Sequence, residues 1–238
     1  MPRPTPIGFA HRGARAHARE NTLVAFSLAL EMGATGLETD AWLTADGQAV
    51  LDHDGVVGHT PIARIERRGL PDHIPTLAEL YAECGGDYEL SIDIKDEAAA
   101  PEVIRCAQLA GAASRVWLCH WNWKRLASWR RLSDAVRLVD STRARSMNTP
   151  LPERALRMRE HEIDALNLHH GDWQPEWVEM LHKSGRYAFA WGLQEERALA
   201  RLVDAGVDAV YSDHVDRMMR VLDRGARLGE VASPRAPV

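Results

Sequence analysis

Glu38 and Asp40 stand two positions apart in the run GLETDAWL, and the short run that follows, AVLDHD, passes through a histidine, His53. Side chains at i and i+2 of a strand share a face, so in a strand these carboxylates project side by side. Adjacent carboxylates repel unless a cation sits between them or one of them keeps its proton; a surface strand with an acidic face is the plainer alternative. Chemistry-bearing residues collect at the ends of other apolar runs as well: His11, Arg12 and Gly13 after IGFA, Asp54 beside His53, Asp93 and Lys95 in SIDIK, and Trp191 closing YAFAW. Singly, each has a structural explanation, such as an ordinary Asp93–Lys95 ion pair. Together they suit hydrolysis of a phosphodiester. Three oxygen ligands without a cysteine favour a hard divalent cation, Mg²⁺ or Ca²⁺. Such a cation, with an arginine and a lysine, can neutralise a phosphate and the charge developing on it. Two imidazoles that titrate near neutrality can divide the proton transfers.

These residues must be carried to one place by the elements that bear them. Strand-like runs are expected at 7–10, 36–41, 49–51, 89–94, 116–119, 135–139, 165–168, 187–191 and 209–211. Amphipathic stretches lie between most of them, among them NTLVAFSLALEMGA, PEVIRCAQLAGAA, PEWVEMLHKSG and EERALARLVDAG. Gly33, Gly185 and Gly206 sit where a glycine just past a helix belongs, and Thr76 precedes Glu79 as in a capping box. About eight alternations of strand and helix predict a (β/α)8 TIM barrel, whose chemistry gathers at the C-terminal strand ends. A doubly wound sheet is the alternative, but no glycine-rich dinucleotide fingerprint follows the first strand. One domain over 1–238 is expected, with 54–75 as a short insertion after the second strand unit, over the barrel mouth, and 229–238 as a flexible tail.

At 238 residues and 45% apolar content the chain can bury one sizeable core. A net charge of −5 with interspersed signs argues against a nucleic-acid partner. Cys84, Cys106 and Cys119 show no CxxC spacing and read as reduced thiols. The opening residues have no signal-like apolar segment, and the chain lacks an apolar span of the roughly 18 residues that crossing a bilayer needs. A cytoplasmic protein without membrane insertion is therefore expected.

The ordered motifs HRG (His11, Arg12, Gly13), ENT (Glu20, Asn21, Thr22), ETD (Glu38, Asp40) and HD (His53, Asp54) resemble the signature of the glycerophosphodiester phosphodiesterase family. IPTLAEL, SIDIK, Trp191 and VYSDHVD extend the resemblance over almost the whole chain. It implies a metal-dependent barrel that cleaves glycerophosphodiesters, the small-molecule partner, to sn-glycerol 3-phosphate and an alcohol. By that resemblance His11 and His53 are the acid–base pair, and Glu38, Asp40 and Asp93 hold Mg²⁺ or Ca²⁺. Arg12 and Lys95 contact the phosphate, while Glu20 and Asn21 support the site or cap the first helix. The attacking group is the substrate's neighbouring hydroxyl or water.

The chain departs from the family pattern in places that bear on substrate preference. Asp93 stands where the family has Glu, His59-Thr60 replaces an Arg-Thr pair, CHWNW (119–123) replaces Ser-Phe-Asp, and Val215 replaces a proline. A lysophospholipase D acting on single-chain lipids is a second reading, favoured by any apolar rim that Val56, Val57, Ile62, Ile65, Leu70 and Ile74 make on the insertion. A catalytically inactive phosphodiester-binding protein is a third, against which both retained histidines and both carboxylates of ETD argue. Of the eight tryptophans, Trp121, Trp123 and Trp191 are candidates to line a pocket for the alcohol, and most of the others are expected to pack between helices and sheet. His169-His170 is expected in a solvated loop, and KRLASWRRL as a wet helix face.

Overall fold

Alternation along the strands sorts the side chains into two cores. In the computed structural model, which describes residues 5–232, the chain runs β1 (Ile7–His11), α1 (Leu23–Glu31), β2 (Gly36–Leu43), β3 (Ala49–Leu51), β4 (Val56–Val57), β5 (Thr60–Pro61), α2 (Leu77–Cys84), β6 (Glu89–Ile94), α3 (Ala100–Leu109), β7 (Val116–His120), α4 (Trp123–Trp129), β8 (Arg137–Thr142), α5 (Leu151–Glu160), β9 (Ala165–His169), α6 (Pro175–Lys183), β10 (Tyr187–Trp191), α7 (Glu196–Asp204), β11 (Ala209–Ser212) and α8 (Val215–Ala232). Strands β1, β2 and β6 to β11 pair in parallel, and β1 meets both β2 and β11, so the sheet closes into the expected (β/α)8 barrel.

One face of the strands fills the barrel with Ile7, Phe9, Trp117, Val139, Ala165, Phe189 and Tyr211. Phe9 stacks on Tyr211 with ring centres 4.7 Å apart, and Trp117 meets Phe189 edge-on at 4.8 Å. The other face, including Leu37, Ile92, Leu118, Leu138, Leu166 and Val210, packs outward under the helices. Each fully buried side chain of this size contributes about 1.5–3 kcal/mol. Because the plug is apolar, the next inward-facing positions along the strands (His11, Asp93, Asn167, Trp191) emerge above it at the C-terminal mouth.

Local signals position the elements as expected. Gly33, Gly185 and Gly206 take φ of 88°, 69° and 87° just past their helices, and Thr76 and Glu79 exchange bonds of 2.7 and 3.0 Å. Strand β8 spans Arg137–Thr142 instead of 135–139, because Asp140, polar in sequence, is buried in the strand against Arg154 through two 2.7 Å bonds. The insertion begins beyond β3, which pairs antiparallel with the end of β2. Val50, Ile62, Leu70 and Ile74 form its own small core, with Trp42, Val57 and Ile65 packed on it. Helix α8 runs to Ala232, so 229–232, expected in a tail, are helical; 233–238 lie outside the described residues.

Candidate active site

The loop after β1 is bent back onto β2 by left-handed residues. Arg12, Gly13 and Asn21 have φ of 55°, 79° and 54°, and a Cβ on Gly13 would lie 2.7 Å from the Ala25 carbonyl carbon. A non-glycine residue in this region costs about 1–3 kcal/mol unless its surroundings hold it. Here they do. The Arg12 amide donates to Glu38 Oε2 at 2.9 Å, Asn21 Nδ2 donates to Asp40 Oδ2 at 3.1 Å, and Thr39 Oγ1 donates to Asn21 Oδ1 at 2.8 Å. Thr22 caps α1, accepting from the Ala25 amide, which leaves Asn21 as a buried brace for Asp40. Glu20 pairs with Arg12 at 3.0 Å and with Arg15 at 2.5 Å.

The carboxylates are not on a surface face: Glu38 is 7% exposed and Asp40 2%. The parallel register sets Asp40 level with Asp93, and Glu38 level with His11. Lys95 Nζ donates to Asp93 Oδ2 at 2.5 Å and lies 3.1 Å from Asp40 Oδ1, while Arg12 Nε lies 3.3 Å from Asp40 Oδ2. Burial, reinforced by Asp40 and Asp93, pushes the Glu38 carboxyl up to about 7. Burial opposes the Lys95 charge, yet Asp93 and Asp40 hold its ammonium above the ordinary value. An all-oxygen set of three carboxylates on adjacent strands fits a hard divalent cation in its donor chemistry. Among the described residues, the donor atoms that come within 4.8 Å of one another are those of His17, His214 and Asp216, beside the start of α8; the ammonium of Lys95 lies between Asp40 and Asp93.

His11 Nδ1 donates to Asp213 Oδ1 at 2.5 Å, and its Nε2 lies 3.8 Å from Glu38 Oε2. Burial works against the imidazolium, but the Glu38 carboxylate and the bond to Asp213 carry the His11 pKa above its ordinary 6.5. Burial would raise Asp213, and the same bond brings it below its ordinary value. The Asp213 amide in turn donates to Gln194 Oε1 at 3.1 Å.

A cavity of about 1000 Å³ opens above these residues, lined by His11, Arg12, Glu38, Asp40, Asp93 and Lys95, with Trp121, Trp123 and Trp191 on other walls. His53 is not brought into it. It sits on the turn after β3 with Nδ1 2.8 Å from Asp54 Oδ1. Asp52, which accepts from the Asp54 and Gly55 amides, anchors that turn beside Asp40 through its own amide at 3.1 Å. Asp213, Arg15 and Gln194 were not among the expected site residues. The signal for Asp213 was its place in VYSDHVD, directly after the last strand. Trp129 and Trp173 pack in the helix-side core, as expected, whereas Trp117 fills the inside of the barrel instead. His169 meets the Trp191 ring edge-on at 4.8 Å. KRLASWRRL turns Leu126 and Trp129 into the core, so only part of it is a wet face.

Residues 11–217 match the model of the Glycerophosphoryl diester phosphodiesterase family. A glycerophosphodiester phosphodiesterase of Caldanaerobacter subterraneus subsp. tengcongensis is 26% identical over 241 residues, covering 91% of this chain and 97% of the relative. The crystal structure of a glycerophosphodiester phosphodiesterase from Thermotoga maritima superposes with a TM-score of 0.81 at 22% identity, over 91% of this chain and 98% of that one. An Oleispira antarctica phosphodiesterase in complex with the product sn-glycerol-3-phosphate superposes with a TM-score of 0.78 at 21% identity, over 92% and 97% of the two chains.

Proposed function

The chain belongs to the glycerophosphoryl diester phosphodiesterase family, and on that premise we propose that it hydrolyses glycerophosphodiesters to sn-glycerol 3-phosphate and an alcohol by histidine acid–base catalysis assisted by a divalent metal. The observation that carries this reading is His11, held by Asp213, in one cavity with three carboxylates, Arg12 and Lys95. Glu38, Asp40 and Asp93 would hold Mg²⁺ or Ca²⁺, which when bound draws charge from the phosphate oxygens.

The remaining work falls to side chains. Arg12 and Lys95 balance the phosphate charge from fixed positions against Asp40. Asp213 selects the His11 tautomer that leaves Nε2 toward the cavity, where a proton can move to or from a reacting oxygen. His53 is the partner in proton transfer in this proposal, and because it lies outside the cavity on the turn after β3, that role requires the turn to move inward on substrate binding. As the attacking oxygen forms its bond to phosphorus it loses a proton to one imidazole, and the departing alkoxide takes one from the other. Glu20 and Asn21 act as braces. Trp191 forms part of the substrate wall.

The lysolipid reading is less well supported, since Ile62, Leu70 and Ile74 are buried in the insertion's own core, with Val57 and Ile65 packed on it, and Val56 is left exposed. Among the described residues no helix is long and apolar enough to cross a membrane. A cytoplasmic location belongs to the same proposal and rests on three unpaired cysteines. The test is an assay of the purified chain with a panel of glycerophosphodiesters and lysolipids, with and without added metal. Metal-dependent release of sn-glycerol 3-phosphate is expected; release of other products, or none, overturns the reading.

A further inference from the structure

The carboxylates that line the cavity are confined to one side, where Arg12, Arg15 and Lys95 also stand. The four, Glu38, Asp40, Asp93 and Asp213, all belong to the half built by β1, β2, β6 and β11. The opposite half, built by β7 to β10 and the elements that follow them, is lined by Lys124, Arg143, Arg154 and Arg157 and by no carboxylate. None of these cations takes part in the proposed proton transfers. Arg154 is committed to Asp140 within the fold. Among the described residues Arg143 donates only its Nε, to Asp172 at 3.0 Å, and Arg157 meets the exposed Glu153 at 3.0 Å.

Two features of the same half define what it can hold. While the exposed Trp121 stacks on His120, two of the three tryptophans here already carry cations: Arg143 lies 5.3 Å from the centre of the Trp191 ring, and Arg157 and Lys124 lie 4.8 and 5.9 Å from that of Trp123. A quaternary ammonium bound on such faces would be repelled by the cations that occupy them. Asn167, 4% exposed, donates Nδ2 to Ser141 Oγ at 3.2 Å, and its Oδ1 has no partner among the described residues; the residue lines the cavity. A buried acceptor left without a donor is costly, and a ligand hydroxyl can satisfy it.

We propose that this half of the cavity is the subsite for the leaving alcohol and is built for a hydroxylated alcohol that carries an anionic group, a phosphate or a carboxylate. The inference rests on the reading of the cavity as a glycerophosphodiesterase site. The free guanidinium nitrogens of Arg143 and the ammonium of Lys124 receive the anion, since guanidinium groups suit planar, bidentate recognition of carboxylate and phosphate. Asn167 accepts from the hydroxyl. Choline lacks both features, and an acyl chain would meet a polar wall.

The probes are glycerophosphoglycerol, its terminal phosphate, the corresponding diester of glycerate, and glycerophosphocholine. Affinities are measured by calorimetry on the His11→Ala variant, and kcat/KM on the wild type. The two anionic diesters should bind about tenfold or more tightly than the choline diester, as expected of a charge-assisted contact. Lys124→Met, at an exposed helix start, should remove most of that preference without touching an ion pair, and Arg143→Met should remove the rest. Equal or tighter binding of the choline diester, or an unchanged ranking in both variants, overturns the subsite. If the ranking holds in calorimetry while the wild type cleaves no diester, the subsite stands and the proposed function fails. If turnover is metal-dependent but indifferent to the alcohol's charge, the function stands and the subsite fails.

Discussion

His11 and Asp213 lie 202 residues apart and meet through an Nδ1···Oδ1 bond of 2.5 Å across the junction of β1 and β11. The bond fixes the imidazole tautomer and stabilises its charged form, so His11 titrates above 6.5. His11→Ala should reduce turnover by roughly 10²–10⁴-fold. Asp213→Asn should lower the His11 pKa and shift the corresponding limb of the kcat/KM profile to lower pH, with a smaller loss of rate. A pH profile that does not move in Asp213→Asn would remove Asp213 from this role.

His53 tests the division of labour. Its side chain is exposed on a turn, so His53→Ala should leave the melting temperature unchanged while turnover falls by roughly 10²–10⁴-fold. Near-normal turnover in that variant assigns the second proton to another group.

Chelation should abolish activity, and Mg²⁺ or Ca²⁺ should restore it. Glu38→Gln, Asp40→Asn and Asp93→Asn should each lower the metal content measured by mass spectrometry, because each removes a formal charge from an all-oxygen set. His17→Ala should leave the Mg²⁺ or Ca²⁺ requirement as it is. A requirement that follows His17, and is indifferent to Glu38, places the functional metal at the start of α8 instead.

In metal-free buffer the site should weaken the fold as pH rises. Both Glu38 and His11 have folded pKa values raised above their unfolded ones, 4.5 and 6.5. Each contributes stability that is fully present below the unfolded value and is lost as pH rises through the folded one, about 7 for Glu38. Melting curves in EDTA between pH 5 and 8 should therefore fall more steeply for the wild type than for Glu38→Gln. Parallel slopes would contradict the shift.

The ion pair of Asp140 and Arg154 is buried between β8 and α5, 0% and 6% exposed. Removing one partner strands the other's charge, so Arg154→Ala should cost about 3–5 kcal/mol in denaturant unfolding. A loss below about 1 kcal/mol, the scale of an exposed pair, would show that water reaches Asp140.

The repeating units were legible in the sequence because their signals are local. Short apolar runs at β1, β6 and β10, glycines past the helix ends and the Thr76–Glu79 box each depend on a few neighbouring residues, and they recur in the structure at those places. The acidic pair of β2 was legible for the same reason: i and i+2 share a face wherever the strand lies. Closure was not local. Only the pairing of β1 with β11 brings Asp213 to His11, and no spacing rule spans that separation. The position of His53 was decided by an Asx-type turn at Asp52, which keeps the HD motif out of the cavity although it stands only two residues past β3. Asp140 falls just past the run expected at 135–139, and only Arg154 placed beside it makes its burial within β8 intelligible. The sequence by itself determined which side chains carry charge and which face of each strand they share, since backbone geometry enforces both. The tertiary structure alone decided which of those charges compensate one another, because Coulomb and hydrogen-bond energies depend on distances that chain closure sets.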